Sequence, residues 1–194
     1  MDEKREAFLA RLKRLGEEND LRAASRSEKM LNITTDTGLL LWMLTCAWQP
    51  RRILEVGTSN GYSTIWWADA LTSPGQELIT LENNPAKVAL ARRNFAEAGI
   101  AERIQVVEGD AGAFLREALA QSFDLIFLDS ERSEYVGWWP DLLRILRPHG
   151  LIIVDNAVDR AAELKDFVRV AQATRGIRLV LVPIGNGELF FQKE

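Results

Sequence analysis

The sequence predicts an α/β protein with a mostly parallel sheet covered by helices on both faces, and three observations predict it. Beyond residue 48, short β-rich apolar runs alternate with helical patterns, the order that produces parallel strands joined by crossover helices. Near the end, Gly185-Asn186-Gly187 separates two strand-like runs by a tight turn, which adds an antiparallel pair as the edge of the sheet. The composition is that of an ordinary globular chain: 194 residues, 47% hydrophobic and 27% charged.

Residues 1–48 read as charged, amphipathic helices packed on the same core, placed to act as a lid or a dimer contact. Their apolar stretch, residues 38–48, is about half a membrane span long and is interrupted by Thr45, so it reads as a buried helix. The strands follow at 52–56, 77–81, 104–107, 123–128, 151–154, 178–182 and 189–192, each of the first five leading through a turn into a helix. The second of these helices carries its own punctuation. Asn84 caps it, Pro85 suits its first position, Gly99 follows its last turn, and Val88, Ala91, Phe95 and Ala98 share one face. No repeat or linker divides the chain, which reads as one domain over 1–194 with residues 49–194 as the ligand-binding core.

A chain of this length buries roughly 70% of its unfolded surface, so it needs no metal merely to fold. The 24 Lys and Arg against 28 Asp and Glu leave a net charge of −4, without the basic excess that nucleic-acid binding requires. The single Cys46 can form neither an intramolecular disulfide nor a zinc cluster, and the charged opening MDEKREAF is no signal core, so the expected compartment is the cytoplasm with no membrane partner.

Open parallel sheets bind ligands at the carboxyl ends of their strands. The first such turn reads Glu55-Val56-Gly57-Thr58-Ser59-Asn60-Gly61-Tyr62-Ser63. Gly57 and Gly61 permit a tight turn and close ligand approach, but Ser59 stands where G-x-G-x-x-G has its middle glycine and would crowd a pyrophosphate. Glu55 disfavours an anionic ligand further and suits a cationic one carrying an ammonium and a sulfonium. The second strand runs into Glu82, placed to accept both hydroxyls of a ribose. A plain helix-entry turn, with Glu55 merely solvated, is the competing reading.

The fourth strand runs into Asp129 and the fifth into Asp155-Asn156. If the two are neighbours, two carboxylates and an amide oxygen converge beside the Gly turn as a magnesium site with positions left for water or substrate. Each aspartate alone would be read as a helix cap.

In combination, EVGTSNGYS, LITLENNP, FDLIFLDSERSEY and LIIVDN resemble the S-adenosylmethionine-dependent O-methyltransferases of the catechol and caffeoyl-coenzyme A type, a divalent-cation-dependent family, from about Met30 onward. The resemblance implies a Rossmann-like class I methyltransferase fold: a seven-stranded sheet whose last strand is antiparallel. It also implies that Glu55, Gly57, Gly61, Tyr62 and Ser63 form the cofactor turn. Glu82 would then hold the ribose, Leu31 and Ile33 would close over the cofactor, Ala111 and Gly112 would sit near adenine, and Asp129, Asp155 and Asn156 would hold the metal. The acceptor it implies is a small vicinal diol, typically a catechol.

One position departs from the family. Where the resemblance implies a catalytic Lys, three residues after Asp129, this chain has Arg132, whose guanidinium cannot act as a base near neutral pH. The expected consequence is that Glu131, Glu134 or water takes the acceptor's proton while Arg132 stabilises the oxyanion; the bland alternative pairs Arg132 with Glu134 at the surface.

Trp138 and Trp139 are candidates for an aromatic pocket or for core, and at least one of Trp66 and Trp67 should face the core. His149 falls in the turn entering the fifth strand, at the far end of the sheet from the site, and Cys46 reads as buried and inert. Two other readings compete: a protein that binds the cofactor on this fold with impaired transfer, motivated by Arg132, and a nicotinamide-dependent oxidoreductase, which must explain Ser59. A homodimer through the N-terminal helices and acceptor selection by residues 1–35 and the segment after Asn156 complete the expectations.

Overall fold

The computed structural model describes residues 1–194. Its helices are α1 (Glu3–Arg22), α2 (Thr35–Trp48), α3 (Tyr62–Ala70), α4 (Pro85–Glu97), α5 (Ala111–Glu117), α6 (Tyr135–Ile145) and α7 (Ala161–Ala173). Its strands are β1 (Arg52–Val56), β2 (Glu77–Glu82), β3 (Ile104–Glu108), β4 (Phe123–Leu128), β5 (Leu146–Val154), β6 (Ile177–Val182) and β7 (Glu188–Lys193). All seven strands lie in one sheet of order β3-β2-β1-β4-β5-β7-β6. The reversal of order between β1 and β4 opens the crevice where such sheets bind ligands.

The side-chain alternation along each strand divides the core. Leu54, Val56, Ile126, Leu128, Ile152 and Val154 face α5, α6 and α7, whereas Ile53, Leu125, Phe127 and Ile153 face α1 to α4. The central strands are apolar on both faces because helices cover both. Asn84 caps α4 through the amides of Ala86 and Lys87, with Pro85 at the first position, and Val88, Ala91 and Phe95 are buried.

The antiparallel pair forms the edge of the sheet as expected, with β7 between β5 and β6 and antiparallel to both, because Leu189 and Phe191 are apolar enough for the interior while the outermost β6 exposes Arg178, Val180 and Leu181. Two other expectations need correction. Strand β5 starts at Leu146, five residues early, since Leu146 pairs with Phe123 before the register shifts around the left-handed His149. Helix α2 is buried on one side only; Leu41 and Thr45 pack inward while Leu39, Met43 and Trp48 remain exposed. Both Trp66 and Trp67 are buried, Cys46 is half-buried, and no helix is long and apolar enough to cross a membrane.

Candidate active site at the strand carboxyl ends

A cleft of about 780 Å³ opens over the carboxyl ends of β1, β2 and β4. Its floor is the β1–α3 turn. Gly57 and Thr58 both donate backbone N–H to the Leu81 carbonyl, at 3.0 and 3.2 Å, and Gly57 adopts φ +106°. A Cβ at Gly57 would collide with the Asp129 carbonyl oxygen, so the glycine is required by close approach of β4 as well as by φ. Ser59 is left-handed too, at φ 49°, and is fixed from both sides: its N–H donates to Glu82 Oε2 at 2.9 Å and its Oγ to the Met30 carbonyl at 2.7 Å.

Glu82 lines the cleft, and its other oxygen accepts the N–H groups of Asn83 and Asn84 at 3.1 and 3.0 Å. Both carboxylate oxygens are thereby oriented: Oε1 is filled by the two amides, and Oε2, which accepts only from Ser59, keeps a lone pair for a hydroxyl. The segment joining α1 to α2 forms one rim. Met30 and Leu31 donate N–H to the two oxygens of Asp20, at 2.6 and 2.9 Å, and Leu31, at φ 51°, is exposed in the cleft wall. Ile33 instead packs into the core with Leu41 and Tyr62.

Glu55 lies under the turn instead of in the cleft wall. It points to the face covered by α3, is fully buried, and accepts hydrogen bonds from the hydroxyls of Ser63 (2.6 Å), Thr64 and Thr80 (2.6 Å). Burial raises its pKa to about 6, with the three hydroxyls working in the opposite direction. Ser63 is thus Glu55's partner, Tyr62 is buried edge-on to Trp66, and Gly61 is packed against Phe95. These residues build the turn from beneath.

Because Glu55 has the higher pKa when folded, the folded state holds the extra proton between about pH 4.5 and 6, and stability falls as pH rises through that window. A shift of this size amounts to about 2 kcal/mol. Urea unfolding of Glu55→Gln and the parent should diverge by about that much in favour of Gln between pH 4 and pH 7; a difference independent of pH would refute the buried-charge account.

Opposite Glu82, the ends of β4 and β5 bring together Asp129, Asp155 and Asn156. Asp129 and Asn156 line the cleft, and the Asn156 side chain, on a residue at φ 65°, donates to Asp129 Oδ1 at 3.5 Å and to Asp155. Burial raises both aspartates above the ordinary carboxylate range, and the Asp155 charge raises Asp129 further. Asp155 Oδ1 has no hydrogen-bond partner. A half-buried and a buried carboxylate flanking one amide, the buried one with an orphaned oxygen, fit a small divalent cation, although no group of three His, Cys, Asp or Glu side chains forms a cage.

Arg132 is buried, not a surface residue paired with Glu134. Its Nη2 lies 3.8 Å from Asp129 and its Nη1 3.7 Å from Glu163 on α7. Glu131 and Glu134 are exposed at the cleft. Trp138 lines the cleft beside Ala111, with its Nε1 2.9 Å from where a Gly112 Cβ would stand, while Trp139 belongs to the core. His149 lies within β5 at its left-handed kink, instead of in a turn before the strand, and does not line the cleft.

The sequence reading missed Glu188. This first residue of β7 is fully buried beside Asp155, accepts a hydrogen bond from Thr37 Oγ1 at 2.9 Å, and is pushed up to about 11 by burial and then by the Asp155 charge. Its only signal would have been the pairing of β7 with β5.

The profile of the O-methyltransferase family matches residues 6–188 of the chain. A catechol O-methyltransferase of Niastella koreensis is 35% identical over 151 residues, covering 76% of this chain and 67% of that protein. One of Mycobacterium tuberculosis is 36% identical over 126 residues, 65% of this chain and 57% of its own length, so the match spans only part of these relatives. Among solved structures, the O-methyltransferase TomG of Streptomyces achromogenes, in complex with SAM, superposes with a TM-score of 0.79 at 25% identity over 100% of this chain and 90% of its own. With the match running from the first helix to the start of β7, across the Gly57 turn and the ends of β2, β4 and β5, the chain belongs to the O-methyltransferase family.

Proposed function

We propose that the cleft transfers the sulfonium methyl of S-adenosylmethionine to a hydroxyl oxygen of a small, catechol-like diol, assisted by magnesium or another divalent cation. One observation carries the reading: Glu82, Asp129 and Asn156 line the same cleft on opposite sides of the Gly57 turn. A group that binds a ribose and a group that binds a cation therefore flank one space.

Glu82 holds the ribose diol, Leu31 covers the cofactor, and Ala111 and Gly112 with the Trp138 indole flank the adenine. Ser59 keeps Glu82 and the Met30 rim in register through its two hydrogen bonds. Asp129, Asp155 and Asn156 would hold the cation, which would supply Lewis acidity to lower the pKa of an acceptor hydroxyl. Arg132 stays protonated and stabilises the negative charge that forms there, and the proton leaves to Glu131, Glu134 or water. The cleft's main contribution is to hold acceptor and methyl in line. The exposed Leu39 and Met43 on α2 support a homodimer through the N-terminal helices.

Calorimetric titration with S-adenosylhomocysteine tests the cofactor first, and a Kd of order micromolar, about −8 kcal/mol, is expected. Diol turnover should then require a divalent cation and stop with EDTA. Binding without turnover on any diol would favour the reading of a cofactor-binding protein with impaired transfer, and no binding by folded protein would overturn both.

A further inference from the structure

Arg132 is the one buried arginine of the chain, and its charge is shared in an unusual way. Asp129 and Glu163 sit at different guanidinium nitrogens, at 3.8 and 3.7 Å. Charge-assisted hydrogen bonds of this kind close to about 2.7–2.9 Å, so the guanidinium is suspended between two carboxylates without full contact with either. Its Nε, also buried, has no partner. A buried cation this poorly satisfied is drawn to the nearest anion.

Glu163 is built to hold its side of that balance. It lies in the first turn of α7, where the helix N-terminus favours a carboxylate. Its N–H donates to the Arg160 carbonyl at 2.9 Å, and its Oε1 accepts from Arg160 Nη1 at 3.3 Å, leaving Oε2 for Arg132. Without Glu163, Arg132 would have Asp129 as its only anionic partner. A guanidinium seated on Asp129 would occupy the charge that a divalent cation needs.

We infer that Glu163 is a positioning residue that holds Arg132 off Asp129 and so keeps the Asp129 carboxylate open to a divalent cation. The inference rests on the proposal that Asp129, Asp155 and Asn156 bind such a cation. It also gives the Lys-to-Arg departure a cost, since Arg reaches further and binds carboxylates as a fork, and it assigns Glu163 as the residue that offsets it.

The test is direct Mn2+ binding to the full chain saturated with S-adenosylhomocysteine, read by electron paramagnetic resonance of free Mn2+. Glu163→Gln is expected to weaken Mn2+ about five- to tenfold, and Arg132→Gln to tighten it. In the Arg132→Gln background, Glu163→Gln should change the Kd less than about twofold, because its effect passes through Arg132. If Arg132→Gln fails to bind S-adenosylhomocysteine, Arg132→Met, which keeps the apolar stem, carries the same arm. Equal weakening by Glu163→Gln in both backgrounds would mean simple loss of a nearby negative charge and would overturn the inference. So would an unchanged Kd in Glu163→Gln alone. Absence of Mn2+ binding by the parent protein would overturn the cation site itself and this inference with it.

Discussion

Gly57→Ala is expected to abolish S-adenosylhomocysteine binding and to cost about 4 kcal/mol of stability. Two penalties coincide at this residue. Its φ of +106° is outside the range that side-chain-bearing residues adopt, and the new Cβ would meet the Asp129 carbonyl, a backbone atom. That carbonyl cannot retreat cheaply. The Asp129 N–H is bonded to the Val56 carbonyl at 3.0 Å, and the next peptide is held by Ser130 N–H donating to Tyr135 Oη at 2.8 Å. Relief must come from separating β1 from β4 at the crevice, which displaces the turn from Glu82. Gly75→Ala is the control: φ is +79°, but nothing lies within 4 Å of the added carbon. It should cost about 1 kcal/mol and leave binding intact. Urea unfolding with calorimetry on both variants decides the matter, and equal losses would show that conformation alone, without the approach of β4, explains Gly57.

Asp129→Asn is expected to slow methyl transfer about a thousandfold while S-adenosylhomocysteine binding changes by less than about threefold. The substitution keeps the shape of the side chain and removes the half-buried carboxylate that faces the cleft beside the buried Asp155. Stability should rise, because burial and the Asp155 charge both penalise the ionised Asp129. A slower yet more stable protein is the signature of a charge kept for chemistry. Steady-state turnover on a diol, thermal unfolding and cofactor titration measure the three quantities. Turnover above a tenth of the parent's would reduce Asp129 to a residue that merely shapes the turn into α6.

The legible parts of this protein were those set by short stretches of chain. Strands β4 and β5 are read from the apolar runs 125–128 and 151–154, and α4 from Asn84, Pro85 and its apolar face, because two-sided burial and capping leave marks within a few residues. The convergence of Asp129, Asp155 and Asn156 was legible because the carboxyl end of each strand follows from its direction. Three features were not legible for a common reason. Glu55 reads as a ligand contact until Thr80, on the paired strand, and the hydroxyls of α3 are seen to enclose it. Glu188 becomes visible only when β7 is placed against β5. Arg132 is recognised as a departure from the Lys that the family resemblance implies, but its partner Glu163 lies on a distant helix, α7. Burial of a polar group is a property of the pairing, and pairing is not written locally.

The position of β7 also constrains how the protein is made. Strand β5 has no partner on its outer side until residues beyond 188 pair with it, and β6 joins the sheet only through β7. Thr37 near the start of the chain reaches Glu188 across 151 residues, and Asn186 donates to Asn156 at 3.2 Å. During translation, then, β1 to β5 can assemble while the nascent chain is still tethered, but the wall behind Asp155 is absent until the β6–β7 hairpin clears the ribosome. Synthesis passes through a species with an open sheet edge at β5, and such edges attract the wrong partners. Chaperone dependence should therefore concentrate in the interval between synthesis of β5 and pairing of β7, when the crevice beside the Gly57 turn has formed and the Asp155 side has not.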